Sequence, residues 1–478
     1  MNSGVGSRLA TWVLAAVGAA GVCVSLLTIP VQVTDSLIPI LQAQSSPSVA
    51  EAVLASADSA AYPRPLRIAQ IQWLFEAADG RYFLAYKAFH VALVLACLAL
   101  FVIAARVRTA GDVWAFACAL TVLTGLHTFL GTVWEAYPIN HFLEVVVLCL
   151  FVYVLAESHG GWWADALAAL AFAVAALTLE SGLLLWVVAV VAWLAGAKGL
   201  SRRGLVVMTA LLVGYLALRF GYYATGLPTL VERSTGFGTV KLDPPELMRL
   251  FGDRPLVLYA YNIVSSLGSV LLSQPRAGVW TLLAEPRADG LSPGTMMNVV
   301  VSLLTTVAIA VWSWRRWPAW RTRQFQQGDR RVLVALAVTV ANAVLSYGYT
   351  KDEIMSPAGA FYALAVGVVA RDLVTGPRPS GQPGATAATP AAWAMLLVVG
   401  FVSAGWAVRA AGLHYQMHQM AHDVRNEWVT VDAWLKAQHA APATDEARAL
   451  VRELREDALA RVTGNPWGLA LQGTRVFR

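Results

Sequence analysis

The sequence predicts an all-α polytopic membrane protein, a bundle of about 11 to 12 transmembrane helices with its long loops on one side. Three observations predict it. Charged residues make up 13% of the 478 residues and hydrophobic ones 58%, whereas a soluble domain carries roughly 25% charged residues. Several apolar runs approach or exceed the ~18 to 20 residues that a bilayer-crossing helix requires. Arginines and lysines collect in short segments between those runs. The net charge of +6 therefore reads as an orientation bias in a membrane and not as a nucleic-acid surface, and no basic stripe is interleaved with exposed aromatics.

In chain order, spans are expected at 9–29, 83–105, 113–131, 141–156, 163–179, 181–197, 204–222, 295–314, 332–347, 358–370 and 391–410. The first is longer than the apolar core of a signal peptide, so it reads as a retained span. With the N-terminus in the cytoplasm, Arg106, Arg108, Lys198, Arg202, Arg203, the cluster Arg315 to Arg331, Arg371 and Arg378 all fall on the cytoplasmic side. One further run, 256–272, is long enough to cross, but Asn262, Ser265, Ser266 and Ser269 make it polar for a lipid-facing helix. It reads as a re-entrant or interfacial helix on the outer side.

This arrangement predicts a transmembrane domain over 1–410, with outer loops at 30–82 and 223–294, and an extracytoplasmic helical tail over 411–478. Residues 378–392 are a Pro/Gly/Ala linker. The usage of Arg over Lys and the abundance of Ala and Val point to a GC-rich genome and a bacterial plasma membrane. Cys23, Cys97, Cys118 and Cys149 lie within apolar runs and form no CxxC pair, so they read as small core residues and not as a disulfide or zinc framework. No phosphate loop, dinucleotide fingerprint or nucleophile elbow is present.

The ionisable residues near the outer ends of spans are the candidates for chemistry. Asp35 is the one formal charge between Arg8 and Glu51, bracketed by Pro30 and Pro39. It either caps a short interfacial helix, as Thr34 or Ser36 also can, or is presented for catalysis by a stiffened turn. Glu180 stands alone between two apolar runs. Asn140, His141 and Glu144 share a helix face, as do Lys87 and His90; either set serves a substrate or a structural contact between helices. His414, His418 and His422 recur at helical spacing. Without an HExxH pattern they read as part of an amphipathic helix, and no metal site is indicated.

Residues 60–97, with Tyr62, Arg64, Pro65, Leu66, Gly80, Tyr86 and His90, resemble a stretch of the GT-C type glycosyltransferases, particularly relatives of the tetratricopeptide-containing O-mannosyltransferases. LTLESGLLLW around Glu180 and YTKDEIMSPAGAFYALA at 349–365 are similar to two further stretches of that group, although Leu179 stands where relatives often carry Lys. The resemblance implies a membrane hexosyltransferase that takes a sugar from a polyprenyl-phosphate donor and passes it to a glycan, lipid or protein acceptor outside the cytoplasm, with no cofactor. It also implies Asp35 as general base and Glu180 as a second catalytic residue.

An acceptor hydroxyl needs a positioned base, and a departing lipid phosphate needs cationic support. Arg64, Arg67, Arg219, Arg254 and Lys351, with Asp352 beside it, are the residues available for the donor phosphate. Each arginine is also compatible with simple snorkelling to the interface. Alternatives of a different class are a lipid-linked glycan polymerase or ligase and a polytopic transporter or flippase. Paired inverted repeats and midplane polar sites would mark a transporter.

Overall fold

The computed structural model describes residues 3–28, 46–59, 64–78, 82–129, 140–222, 235–274, 293–375 and 390–423, apart from 239 and 351, with a few isolated positions besides. The described chain is helical almost throughout. Its helices are α1 (Ser3–Thr28), α2 (Val49–Ser59), α3 (Pro65–Ala78), α4 (Tyr82–Ala105), α5 (Ala110–Gly125), α6 (His141–Ala156), α7 (Trp162–Thr178) and α8 (Leu184–Leu194). They continue with α9 (Arg202–Leu216), α10 (Pro244–Phe251), α11 (Pro255–Leu271), α12 (Pro293–Arg321), α13 (Gln327–Leu345), α14 (Ser356–Thr375) and α15 (Pro390–Asp423). Among the described residues six helical segments, in α1, α4, α9, α12, α14 and α15, are long and apolar enough to cross a membrane, and five shorter apolar ones accompany them. The chain is an all-α polytopic membrane protein.

Several boundaries differ from expectation for physical reasons. The fourth predicted span coincides with α6, because Asn140 accepts the Leu143 N–H at 3.0 Å as an N-cap. The third ends at Gly125 and not at 131, since Leu126 is extended with ψ 130°. The last helix runs through position 410 without a break, because HYQMHQMAH keeps a helical pattern after the apolar run stops. Within 30–82 the chain forms α2 and α3. Within 223–294 it forms the antiparallel hairpin of β1 (Thr235–Phe237) and β2 (Val240–Leu242), with Thr235 opposite Leu242, followed by α10 and α11. Phe237 packs on Phe251 and Tyr261 at ring distances of 5.0 and 4.5 Å, which ties the hairpin to both helices.

α14 is the central element. Nearly all of it from Ser356 to Ala370 is buried against α5, α13 and α15. Its small residues permit this: a Cβ on Gly359 would stand 2.4 Å from Thr128 Oγ1, and one on Gly367 would stand 3.2 Å from the Ala119 Cβ. In a lipid setting, close packing of small residues and satisfied polar contacts join helices more than apolar burial does.

The polar contacts divide between two ends of the bundle. At one, called here the connector end, short turns join α4 to α5, α6 to α7, α8 to α9 and α12 to α13. Glu157 pairs there with Arg330 and, at 3.7 Å, with Arg106. Asp329, whose side chain is fully buried, accepts two bonds from Arg316 at 2.7 Å each, one from the Trp320 indole at 2.8 Å and one from the Gln326 amide at 2.6 Å. Burial pushes the Asp329 carboxyl up, but these hydrogen bonds outweigh it and leave the group below its ordinary range. A carboxyl lowered in the folded state stabilises fully above its unfolded value of about 3.9 and loses that contribution as pH falls through the folded value. The melting temperature of Asp329→Asn should therefore lie below wild type at pH 7, with the gap closing below about pH 4. A gap that persists unchanged into acid would reject this account.

The opposite, loop end carries Glu180, His127 and Asp352. There α11 lies with Asn262, Ser265, Ser266 and Ser269 buried. Asn262 Nδ2 donates to Tyr347 O at 2.8 Å just past α13, and Ser273 Oγ accepts the His127 N–H at 3.3 Å just past α5. The middle of α11 and the turn after it thus meet the same end of the bundle.

Candidate functional site

The site is built around Glu180. α7 stops at Thr178, Leu179 is extended, and a single 3-10 turn, Glu180–Leu183, lifts the carboxylate clear of α8. Gly182 allows the turn: a Cβ there would lie 2.3 Å from the backbone carbonyl of Ala175. In ESGL, therefore, the glycine lets the turn close on α7 and the glutamate is what the turn presents.

Two arginines from distant segments converge on this carboxylate. Arg64 precedes Pro65 at the first position of α3, a favoured start that fixes where the guanidinium leaves the helix. Its Nε donates to Glu180 Oε1 at 3.1 Å and its Nη2 to Oε2 at 2.7 Å, a bidentate fork. Arg219 sits in the π-helical turn Ala217–Tyr222 that continues α9. Its Nη1 lies 3.7 Å from Glu180 Oε1 and donates to the Tyr215 hydroxyl at 3.1 Å. Burial pushes the Glu180 carboxyl up, and the charge and hydrogen bonds of Arg64 more than reverse it, leaving the group below its ordinary range. Each of the Arg64 and Glu180 side chains keeps about a fifth of its surface exposed.

His141, at the first position of α6, is 2% exposed, and neither ring nitrogen has a hydrogen-bond partner among the described residues. The charges of Arg67 and Arg64 act on it, which places it in the same neighbourhood. One turn on, Glu144 Oε1 accepts from Gln70 of α3 at 2.8 Å. Asn140 donates to His90 Nε2 at 2.7 Å, joining the start of α6 to α4, where Lys87 is also buried. The structure thus brings together Arg64, Arg67, His141, Glu180 and Arg219.

The remaining predicted residues lie elsewhere. Asp352 faces His127 Nδ1 at 3.3 Å, and Arg254 is exposed at the start of α11. Asp35 and Lys351 lie outside the described residues, as do the side chains of His418 and His422. Among the described residues no group of three or more His, Cys, Asp or Glu side chains is placed to hold a metal ion.

Three participants escape a reading of the sequence. His127 hides inside an apolar run, and Gln70 is a neutral residue of α3. Arg409 lies in the last predicted span, and its lone charge there was the available signal. It is 3% exposed and among the described residues reaches only neutral acceptors: Gly125 O at 3.0 Å, Ser302 Oγ at 3.3 Å, Asn298 O at 3.5 Å, and Ser273 O. It stacks on Trp406, 5.1 Å from the ring centroid. No family model, no curated protein and no solved structure matches the chain.

Proposed function

We propose that the chain is an integral-membrane glycosyltransferase of the GT-C type, moving a sugar from a polyprenyl-phosphate donor to a glycan, lipid or protein acceptor at the loop end of the bundle. The observation that carries this reading is the convergence of Arg64 and Arg219 on Glu180. A departing lipid phosphate gathers negative charge, and fixed guanidinium groups at the membrane boundary stabilise that charge better than mobile ones. Glu180 is in this reading a positioning residue: Arg64 occupies both of its oxygens, so its work is to hold the two arginines as one cationic surface. His141 offers the acceptor or the sugar an uncommitted buried imidazole, and Asp35 is the general base.

The same reading orients the chain. The ten apolar segments other than α11, together with α13 and its charged first turn, make eleven crossings. The arginine-rich connector end faces the cytoplasm of a plasma membrane, and α11 lies along the outer face. Purified protein in phospholipid vesicles, given synthetic polyprenyl-phosphate monosaccharides, should release polyprenyl phosphate. Glu180→Gln should keep its abundance and melting behaviour close to wild type and lose roughly ten- to a hundredfold in release, the worth of one charged hydrogen bond at ~1.5 to 3 kcal/mol. Movement of the intact donor across the vesicle without bond cleavage would instead identify a flippase and overturn the proposal.

A further inference from the structure

The connector end holds a cavity of about 190 Å³ between the start of α5, the start of α13 and the last turns of α14. Four arginines line it, Arg106, Arg108, Arg331 and Arg371, against the single carboxylate of Asp112. That carboxylate is already committed. Asp112 Oδ2 accepts the backbone N–H groups of Arg108 and Thr109 at 3.0 and 2.9 Å, and Oδ1 lies 2.7 Å from Arg371 Nε. Outside the lining, Glu157 is shared between Arg106 and Arg330, and Asp372, beside Arg371, accepts the Trp312 indole at 2.8 Å. Positive charge therefore exceeds negative charge in a space far larger than the ~10 to 15 Å³ that holds one water.

Two features indicate what the excess is for. Arg331 is 9% exposed and interacts with Tyr153, yet its Nε has no hydrogen-bond partner among the described residues. A buried cationic N–H without an acceptor is costly, and an anionic oxygen entering the cavity satisfies it. The first turns of α5 and α13 also contribute to the lining, through Asp112 and Gln327. On the other wall Phe116 and Leu364 give an apolar floor. Guanidinium forks above apolar carbon fit a phosphate oxygen cluster attached to an organic group, and they repel cations.

We propose that this cavity binds a phosphate group, presented either by the headgroup of an anionic phospholipid or by a free phosphate. Arg331 and Arg371 hold the phosphate oxygens, and Arg108 at the rim admits them. This site is separate from the Glu180 cluster and does not depend on sugar transfer.

The test uses the full-length protein without any polyprenyl donor. Melting temperature is followed in nanodiscs of phosphatidylcholine, of phosphatidylcholine with phosphatidylglycerol, and of phosphatidylcholine with added inorganic phosphate, while native mass spectrometry counts retained phosphatidylglycerol. At least one source should stabilise the wild type. Arg371→Gln should weaken that binding at least tenfold, and Arg108→Gln, an exposed change that leaves the core untouched, should weaken it in the same direction. Stabilisation by phosphatidylglycerol alone identifies a lipid headgroup, and stabilisation by inorganic phosphate alone identifies a soluble ligand. No response to either source, or equal binding by wild type and both variants, overturns the proposal.

Discussion

Asp35→Asn is expected to reach the membrane in normal amount, to bind donor, and to lose roughly 10² to 10⁴ in transfer rate, the range that general-base catalysis contributes. The substitution separates the two roles open to this residue. As a helix cap, Asn serves about as well as Asp, so stability changes by only a few tenths of a kcal/mol and transfer persists. As the base that accepts a proton from the acceptor hydroxyl, Asn keeps the shape and cannot take the proton. Release of polyprenyl phosphate with acceptor present, measured beside the melting temperature, discriminates between them. Near-normal transfer would remove Asp35 from the mechanism and leave the arginine cluster as the sole support for the reaction.

Arg409→Ala is expected to have the largest effect on the fold. The guanidinium joins four parts of the chain: the end of α5 through Gly125, the segment after α11 through Ser273, the start of α12 through Asn298 and Ser302, and α15 itself. Among the described residues no carboxylate pairs with it, and truncation leaves Gly125 O and Ser273 O without this donor, while Asn298 O keeps the Ser302 hydroxyl at 2.6 Å. Each buried acceptor left without a donor costs ~1 to 3 kcal/mol, so the two carbonyls together come to about 2 to 6 kcal/mol, a range that reaches the ~4 to 5 kcal/mol marking an exceptional substitution. Detergent-solubilised Arg409→Ala should therefore run as aggregate in size-exclusion chromatography. Arg409→Lys should be intermediate, because an ammonium keeps the charge and cannot span the same acceptors. A monodisperse Arg409→Ala with wild-type melting would refute this role.

What was legible in the sequence follows from the kind of signal each feature leaves. α6 could be bounded to the residue because a polar cap abuts an unbroken apolar run. The serines of α11 set it apart in the sequence from the lipid-facing runs, yet it is one of the five shorter apolar helices, with Asn262, Ser265, Ser266 and Ser269 buried. Glu180 was visible as a lone acid between apolar runs. Its partners were not, because Arg64 is 116 residues away in sequence and nothing local ties the two. Arg409 was opaque for a different reason: most of its acceptors are backbone carbonyls, which every residue possesses. The cavity of arginines was half visible, since charge clustering at short connectors was read as orientation while the volume they enclose depends on how α5, α13 and α14 pack.

The position of Arg409 in the chain also has a consequence for biosynthesis. Gly125, Ser273 and Asn298 are translated well before it, and proteins made at about 5 to 20 residues per second assemble N-terminal parts first. Until α15 enters the bilayer, those carbonyls stand without the donor that joins them, in surroundings where unmet backbone groups cost several kcal/mol. α15, the last of the long described helices, thus completes the hydrogen bonds at the loop end, and a chain that stops before residue 409 lacks the donor for Gly125 O and Ser273 O.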